Sequence, residues 1–164
     1  MPKAVRTYLE MTDPGDLDAA PPPFDGVVVE AEGSPAPSLW RFFYTEVGRS
    51  YQWVDRLGWS DDEVRAYLAG GLELWILRVA GEMAGYFELK DSGDGSIEIA
   101  YFGLLPPFVG KGLGKYLLTC AVRRAWERGA ARVWLHTSSL DHTAALPNYL
   151  ARGFRVVKQE IYDV

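Results

Sequence analysis

Along this 164-residue chain the spacing of hydrophobic and polar positions changes several times, and each change marks an element. An extended run near residues 4 to 11 gives way to Asp13-Pro14-Gly15 and Pro21-Pro22-Pro23, an irregular connection in which Val27-Val28-Val29 adds a short extended piece. Ser34-Pro35-Ala36-Pro37-Ser38 reads as a helix entry, because proline is tolerated in a first turn. Leu39, Trp40, Phe43, Tyr44 and Val47 follow at helical spacing, and Gly48 ends the run. Ser60 can cap a second helix, with Asp61, Asp62 and Glu63 at the positive end of its dipole and Gly70-Gly71 as its stop.

Strand patterns take over from there. Residues 72 to 79 and 82 to 90 form a hairpin through Ala80-Gly81, and residues 96 to 105 give a third, more apolar strand after a turn from Asp91 to Gly95. A helix over 113 to 128 carries Leu113, Leu117, Cys120, Ala121 and Ala125 on one face. A strand over 131 to 137, a short helix over 141 to 151 containing Pro147, and a strand over 154 to 162 complete the chain. The predicted order is β-α-α-β-β-β-α-β-α-β: an α/β fold on a mixed sheet, with two consecutive β-α steps late in the chain.

Composition narrows the function. The length suits a single domain over residues 1 to 164, and a chain of this size buries about two thirds of its unfolded surface. Cys120, the lone cysteine, has no internal disulfide partner, which suits a reducing compartment. Met1 to Arg6 holds no apolar core of signal-peptide length, and no run approaches the roughly 18 apolar residues of a membrane span. A cytoplasmic location away from membranes is therefore expected. A net charge of -5 argues against a nucleic-acid partner, which would call for a basic stripe.

The stretch that carries chemistry is Phe108-Val109-Gly110-Lys111-Gly112-Leu113-Gly114-Lys115, after the most apolar strand and at the opening of a helix. Three alternate glycines leave the backbone bare for an anion, the helix start adds partial positive charge, and Lys111 and Lys115 add full charges. The pattern reads as a phosphate cradle. A Walker loop is excluded, because Gly110 precedes Gly114-Lys115 by three intervening residues rather than four, and Tyr116 replaces the magnesium-binding hydroxyl. A dinucleotide fingerprint fails on the G-x-G-x-G spacing and on Trp134 where an acid would stand.

Val109-Gly110-Lys111-Gly112-Leu113-Gly114 resembles the Gln/Arg-x-x-Gly-x-Gly/Ala signature of the GNAT superfamily of acetyltransferases. Tyr149-Leu150-Ala151-Arg152-Gly153-Phe154 resembles that family's Tyr-x-x-x-Gly-Phe ending. The likeness covers residues 72 to 160 best, departing at Val109, where the family has Gln or Arg, and at His142, where it usually has Asn. It implies a sheet whose central strands splay, acetyl-CoA as co-substrate, and no metal. It also implies donor contacts from Phe102-Gly103-Leu104, from Val109 through Lys115, and from His142.

The same resemblance assigns roles in a direct transfer to an amine. A Phe102 amide would hold the developing oxyanion, Glu98 would be the base, with Glu88, Asp141 and His136 as alternatives, and Tyr149 would protonate the leaving thiolate. Pro106-Pro107 removes two amide donors and helps end the strand pairing. Cys120, on the apolar stripe of its helix, reads as an inert thiol rather than a nucleophile. His136 and His142 lack metal-ligand spacing.

The first two helices and the segment between them carry Trp40, Phe42, Phe43, Tyr44, Tyr51, Trp53 and Trp59. These aromatic side chains serve either helix-to-sheet packing or a pocket for an apolar or cationic group. Tyr44, Trp53 and His136 are the candidate acceptor contacts. A small-molecule amine acceptor is the expectation, with a protein lysine or N-terminus, or a catalytically silent acyl-CoA sensor, as alternatives. The last strand, with Ile161 and Tyr162, offers an edge for a homodimer.

Overall fold

The computed structural model describes residues 2–164. Its strands are β1 (Lys3–Met11), β2 (Val27–Glu32), β3 (Leu72–Val79), β4 (Glu82–Asp91), β5 (Ser96–Leu104), β6 (Arg132–Ser138) and β7 (Arg155–Asp163). Its helices are α1 (Pro37–Gly48), α2 (Asp61–Ala69), α3 (Leu113–Glu127) and α4 (Ala145–Ala151). The seven strands form one sheet in the order β2-β3-β4-β5-β6-β1-β7. Every neighbouring pair is antiparallel except β5 and β6.

Two expectations need correction. Val27-Val28-Val29 is the start of a full strand that pairs with β3 along its length, so the order of elements gains a strand before α1. The helix expected over 141–151 begins only at Ala145. Residues 141–144 are held in a turn instead, with the Asp141 carboxylate accepting from the Ser138 amide and His142 Nδ1 accepting from the Ala144 amide.

The two faces of the sheet carry separate cores. On one, α3 buries Leu113, Leu117, Leu118, Ala121, Val122 and Ala125 against Leu77, Phe87, Leu89, Ile97 and Ile99. On the other, α1 packs Trp40, Phe43, Tyr44 and Val47 with Val64 of α2 over Leu74, Ile76 and Tyr86. The spacing of three and four residues that marked α1 in sequence is the stripe that meets the sheet. α2 starts with a full capping box, Ser60 Oγ accepting from the Glu63 amide and Glu63 accepting from the Ser60 amide.

Three local features shape the middle of the sheet. Ladder bonds join β5 to β6 only over Ser96–Glu98 and Arg132–Trp134, after which the strands part. The register of β4 against β5 slips by one residue between Leu89–Ile99 and Glu88–Tyr101, so Ala100 is an extra residue that bends β5 at the fork. Finally, β1 lies between β6 and β7, antiparallel to both, which leaves β7 as an edge with Ile161 72% exposed.

Candidate active site

The fork between β5 and β6 opens into a cavity of about 930 Å3. Its walls are the half of β5 that β6 leaves free, from Ile99 to Leu104, the end of β6 at Leu135, His136 and Ser138, and α4. At one end lie Val109, Gly110, Gly112, Gly114 and Lys115. At the other lie Tyr44 and the loop from Tyr51 to Asp55.

The glycine end is built to leave donors free. Gly112 caps α3 in a left-handed conformation, φ 78, with no side chain available to bond the first turn, and Gly110 has φ 83. Among the described residues, the amides of Gly110, Lys111 and Gly112 have no partner within the fold. Those of Leu113, Gly114 and Lys115 belong to a first turn, where a helix has no carbonyl to offer. A row of bare N–H groups at a helix start is an anion site.

Most of the sequence candidates converge on this cavity. Phe102, Gly103, Leu104, Val109, Gly110, Gly112, Gly114, Lys115, His142, Tyr44, Trp53, His136 and Tyr149 all line it. Leu113 does not, because its side chain is fully buried in the α3 core, so only its backbone faces the cradle. Lys111 is exposed, its Nζ lying 5.9 Å from the centre of the Phe108 ring rather than in the cavity wall. Glu98 stands just behind the wall, its Oε2 3.9 Å from Nε2 of His136, which lines the fork.

The electrostatics separate these groups. Burial raises the Glu98 carboxyl above its ordinary range, against the opposing charges of Lys90 and Arg56. Burial lowers His136, and the nearby Arg6 charge adds to that, so the imidazole is neutral near pH 7 and able to accept a proton. Burial, with the Asp141 charge, raises the Tyr149 phenol, which therefore keeps its proton. The Asp141 carboxylate is already engaged within the fold, accepting from Thr137 Oγ1 (2.7 Å), the Ser138 amide (2.8 Å) and Trp53 Nε1 (3.4 Å). Glu88 lies wholly beneath α1 and α2, away from the cavity wall. Cys120 lines a separate hollow with Tyr116 and Arg123, and burial raises its thiol, which suits an inert residue.

Contacts between distant segments roof the cavity. Trp53 bonds to Asp141, and the Tyr51 ring meets the His142 ring edge-on at 6.2 Å. Gly48 permits this closure, because a Cβ there would stand 2.4 Å from the Trp53 side chain. His142 Nδ1 accepts from the Ala144 amide at 3.0 Å.

Several site residues escaped the sequence reading. Asn148 donates from Nδ2 to the Gly114 carbonyl at 3.3 Å, while its buried Oδ1 has no partner and the residue lines the cavity. Arg6 and Tyr162 also line the cavity, reaching it from opposite ends of the chain because β1 and β7 pair. The one sequence signal for Asn148 was its place directly before Tyr149. Nothing local marked Arg6.

Among the described residues no group of three or more His, Cys, Asp or Glu is placed to hold a metal, and no helix is long and apolar enough to cross a membrane. A family model described as the acetyltransferase (GNAT) family matches residues 37–154. A search of the curated proteins finds no match. Among solved structures, the chain is similar to a GCN5-related N-acetyltransferase from Sphaerobacter thermophilus (16% identity, TM-score 0.72, 97% of this chain and 50% of that one). A GCN5-related N-acetyltransferase from Kribbella flavida follows at 20% identity and TM-score 0.67, over 93% of this chain and 54% of that one. A Bacillus subtilis acetyltransferase in complex with CoA is 19% identical with TM-score 0.63, over 80% of this chain and 78% of that one. The chain thus spans about half the length of the first two, and at these identities the likeness is one of fold.

Proposed function

Because the chain belongs to the acetyltransferase (GNAT) family, we propose that it transfers an acetyl group from acetyl-CoA directly to the amine of a small molecule. One observation carries the reading: a single roofed cavity joins the bare-amide cradle, the fork between β5 and β6, and the aromatic wall at Tyr44 and Trp53. Its parts fit the donor in sequence. The bare amides of residues 110–115 suit an anion, and the edge of β5 that β6 leaves free beyond Glu98 offers backbone groups to an amide-bearing arm. The roof of Trp53 on Asp141 favours a small acceptor over an extended peptide, which would need an open groove.

The donor supplies an activated thioester, and the residues supply position and protons. An ammonium acceptor must first lose a proton, for which His136, neutral and backed by Glu98, is placed at the fork. His136 passes that proton to solvent, the amine lone pair attacks the carbonyl carbon, and as the C–S bond breaks the nitrogen gives its second proton to His136, leaving the neutral amide. The Phe102 amide, just past the bulge in β5, is the donor assigned here to the developing oxyanion. Tyr149, which retains its proton at neutral pH, gives it to the leaving sulfur, yielding the free thiol, and its phenolate regains a proton from water in the cavity it lines.

Calorimetric titration with acetyl-CoA, comparing wild type with Gly112→Asp, tests the donor site. The variant puts a carboxylate in the anion cradle at a position of positive φ. Saturable binding by the wild type and none by the variant is expected. Equal binding by both would overturn the assignment of the cradle.

A further inference from the structure

On the α1/α2 face, beneath the loop of residues 52–59, aromatic side chains close around one arginine, forming a chamber that this arginine fills and that the transfer chemistry above does not use. Arg56 reaches into it from the loop. Its guanidinium carbon stands 4.4 Å from the centre of the Tyr67 ring, 4.7 Å from Trp59 and 5.0 Å from Tyr101. Glu88 forms the floor with no solvent exposure, accepting from the Tyr67 hydroxyl at 2.6 Å and from Trp40 Nε1 at 3.1 Å. Three aromatic faces around a charge, with a carboxylate beneath, are the chemistry of organic-cation recognition.

Arg56 fills this chamber imperfectly. Its Nη1 is buried and has no hydrogen-bond partner. A permanent structural cation would be expected to satisfy its donors. The loop that carries it is anchored at its ends, by the Trp53 amide on the Gly48 carbonyl and Trp53 Nε1 on Asp141, and by Arg41 on the Trp59 carbonyl with Trp59 stacked on Trp40; between these ends the Arg56 amide on the Tyr44 hydroxyl ties it to the body. It turns at Gln52, a non-glycine residue at φ 60, and runs out through Gly58, which has open space around it. The chamber also adjoins the transfer cavity. Tyr101 closes one side of it, and the same ring packs on Trp53 (5.0 Å) and Tyr44 (5.5 Å), both of which line the cavity.

We propose that this chamber recognises a second cationic group of the acceptor and that the Arg56 guanidinium is its internal stand-in, leaving as residues 54–57 swing outward while Trp53 and Trp59 stay in place. The acceptor is then an α,ω-diamine or a guanidinoalkylamine. One end sits among Trp59, Tyr67 and Tyr101 above Glu88, and the other amine lies at the fork beside His136. The assignment of the acceptor rests on the transferase reading above; the cation site does not.

Two measurements test it separately. Thermal denaturation of wild type and Arg56→Ala is followed well above pH 7, where the Glu88 carboxyl is ionised, in about 20 mM guanidinium chloride, against equal sodium chloride and equal urea. Arg56→Ala is expected to melt lower than wild type and to recover in guanidinium alone. Adding Glu88→Gln to that variant is expected to abolish the recovery. Recovery equal in all three additives, or none, would overturn the chamber as a cation site. Acetyl transfer by the wild type to 1,4-diaminobutane and to 1-aminobutane is the second measurement, independent of how Arg56→Ala folds. A KM roughly tenfold lower for the diamine is expected, and equal KM values would overturn the acceptor assignment. Guanidinium-specific recovery with no transfer to any amine would support the cation site and refute the transferase reading instead.

Discussion

Replacing Glu88 by Gln tests how the buried carboxyl is held, and the structure sets both sign and size. Glu88 has no exposed surface, and burial pushes its carboxyl up to about 7 from the ordinary 4.5, although the Tyr67 hydroxyl, the Arg56 charge and Trp40 act the other way. The folded protein therefore holds this proton more tightly than the unfolded chain does. Its contribution to stability is fully present below pH 4.5 and is lost as pH rises through about 7. The gap corresponds to about 3 kcal/mol, at about 1.4 kcal/mol for each tenfold change in proton affinity.

Gln keeps the shape of the side chain and can still accept from Trp40 or Tyr67, but it does not titrate. Glu88→Gln should therefore gain on the wild type by about 2 to 3 kcal/mol between about pH 5 and about pH 8. For a chain of this size, that appears as a relative rise in Tm of about 5 to 10 °C. Thermal or urea denaturation of both proteins across that range is the assay. Parallel stability curves for the two would refute the reasoning, because they would mean that Glu88 titrates alike folded and unfolded.

Three further outcomes are expected. Tyr149→Phe should lower turnover roughly tenfold or more while leaving acetyl-CoA affinity unchanged, checked by steady-state kinetics beside calorimetry; wild-type turnover would remove the acid role. With burial raising Glu98, kcat/KM should climb with pH above the ordinary carboxylate range, and Glu98→Gln should lose that limb; an unchanged profile would remove Glu98 from the proton path. Gly153→Ala should cost about 3 kcal/mol or more in denaturation experiments, because residue 153 has φ 111 and a Cβ there would stand 2.0 Å from the Asp16 carbonyl oxygen. Wild-type stability in that variant would show that the 12–20 segment yields freely.

Features encoded locally were legible in the chain itself. The apolar stripe of α1, the Ser60 capping box, the hairpin at Ala80-Gly81 and the alternate glycines before α3 depend on neighbours within a few residues, where periodicity and φ preference act directly. The glycine cradle was readable for that reason, and with the Tyr149 to Phe154 ending it pointed to the family. Val27–Glu32 was readable only as an extended piece, because a strand becomes one by finding a partner, here β3.

Tertiary structure alone decided the rest. No local rule places β1 between β6 and β7, yet that pairing brings Arg6 and Tyr162 together in the cavity wall. The parting of β5 and β6 after Glu98 and Trp134 is a relation between strands separated by a helix, as is the approach of Glu98 to His136. The surroundings of Glu88 and Arg56 come from α1, α2, β4, β5 and the loop together, so neither the raised carboxyl nor the aromatic box has a signature in any one segment. Periodicity reports which face of an element is apolar; which elements then meet depends on burying those faces all at once.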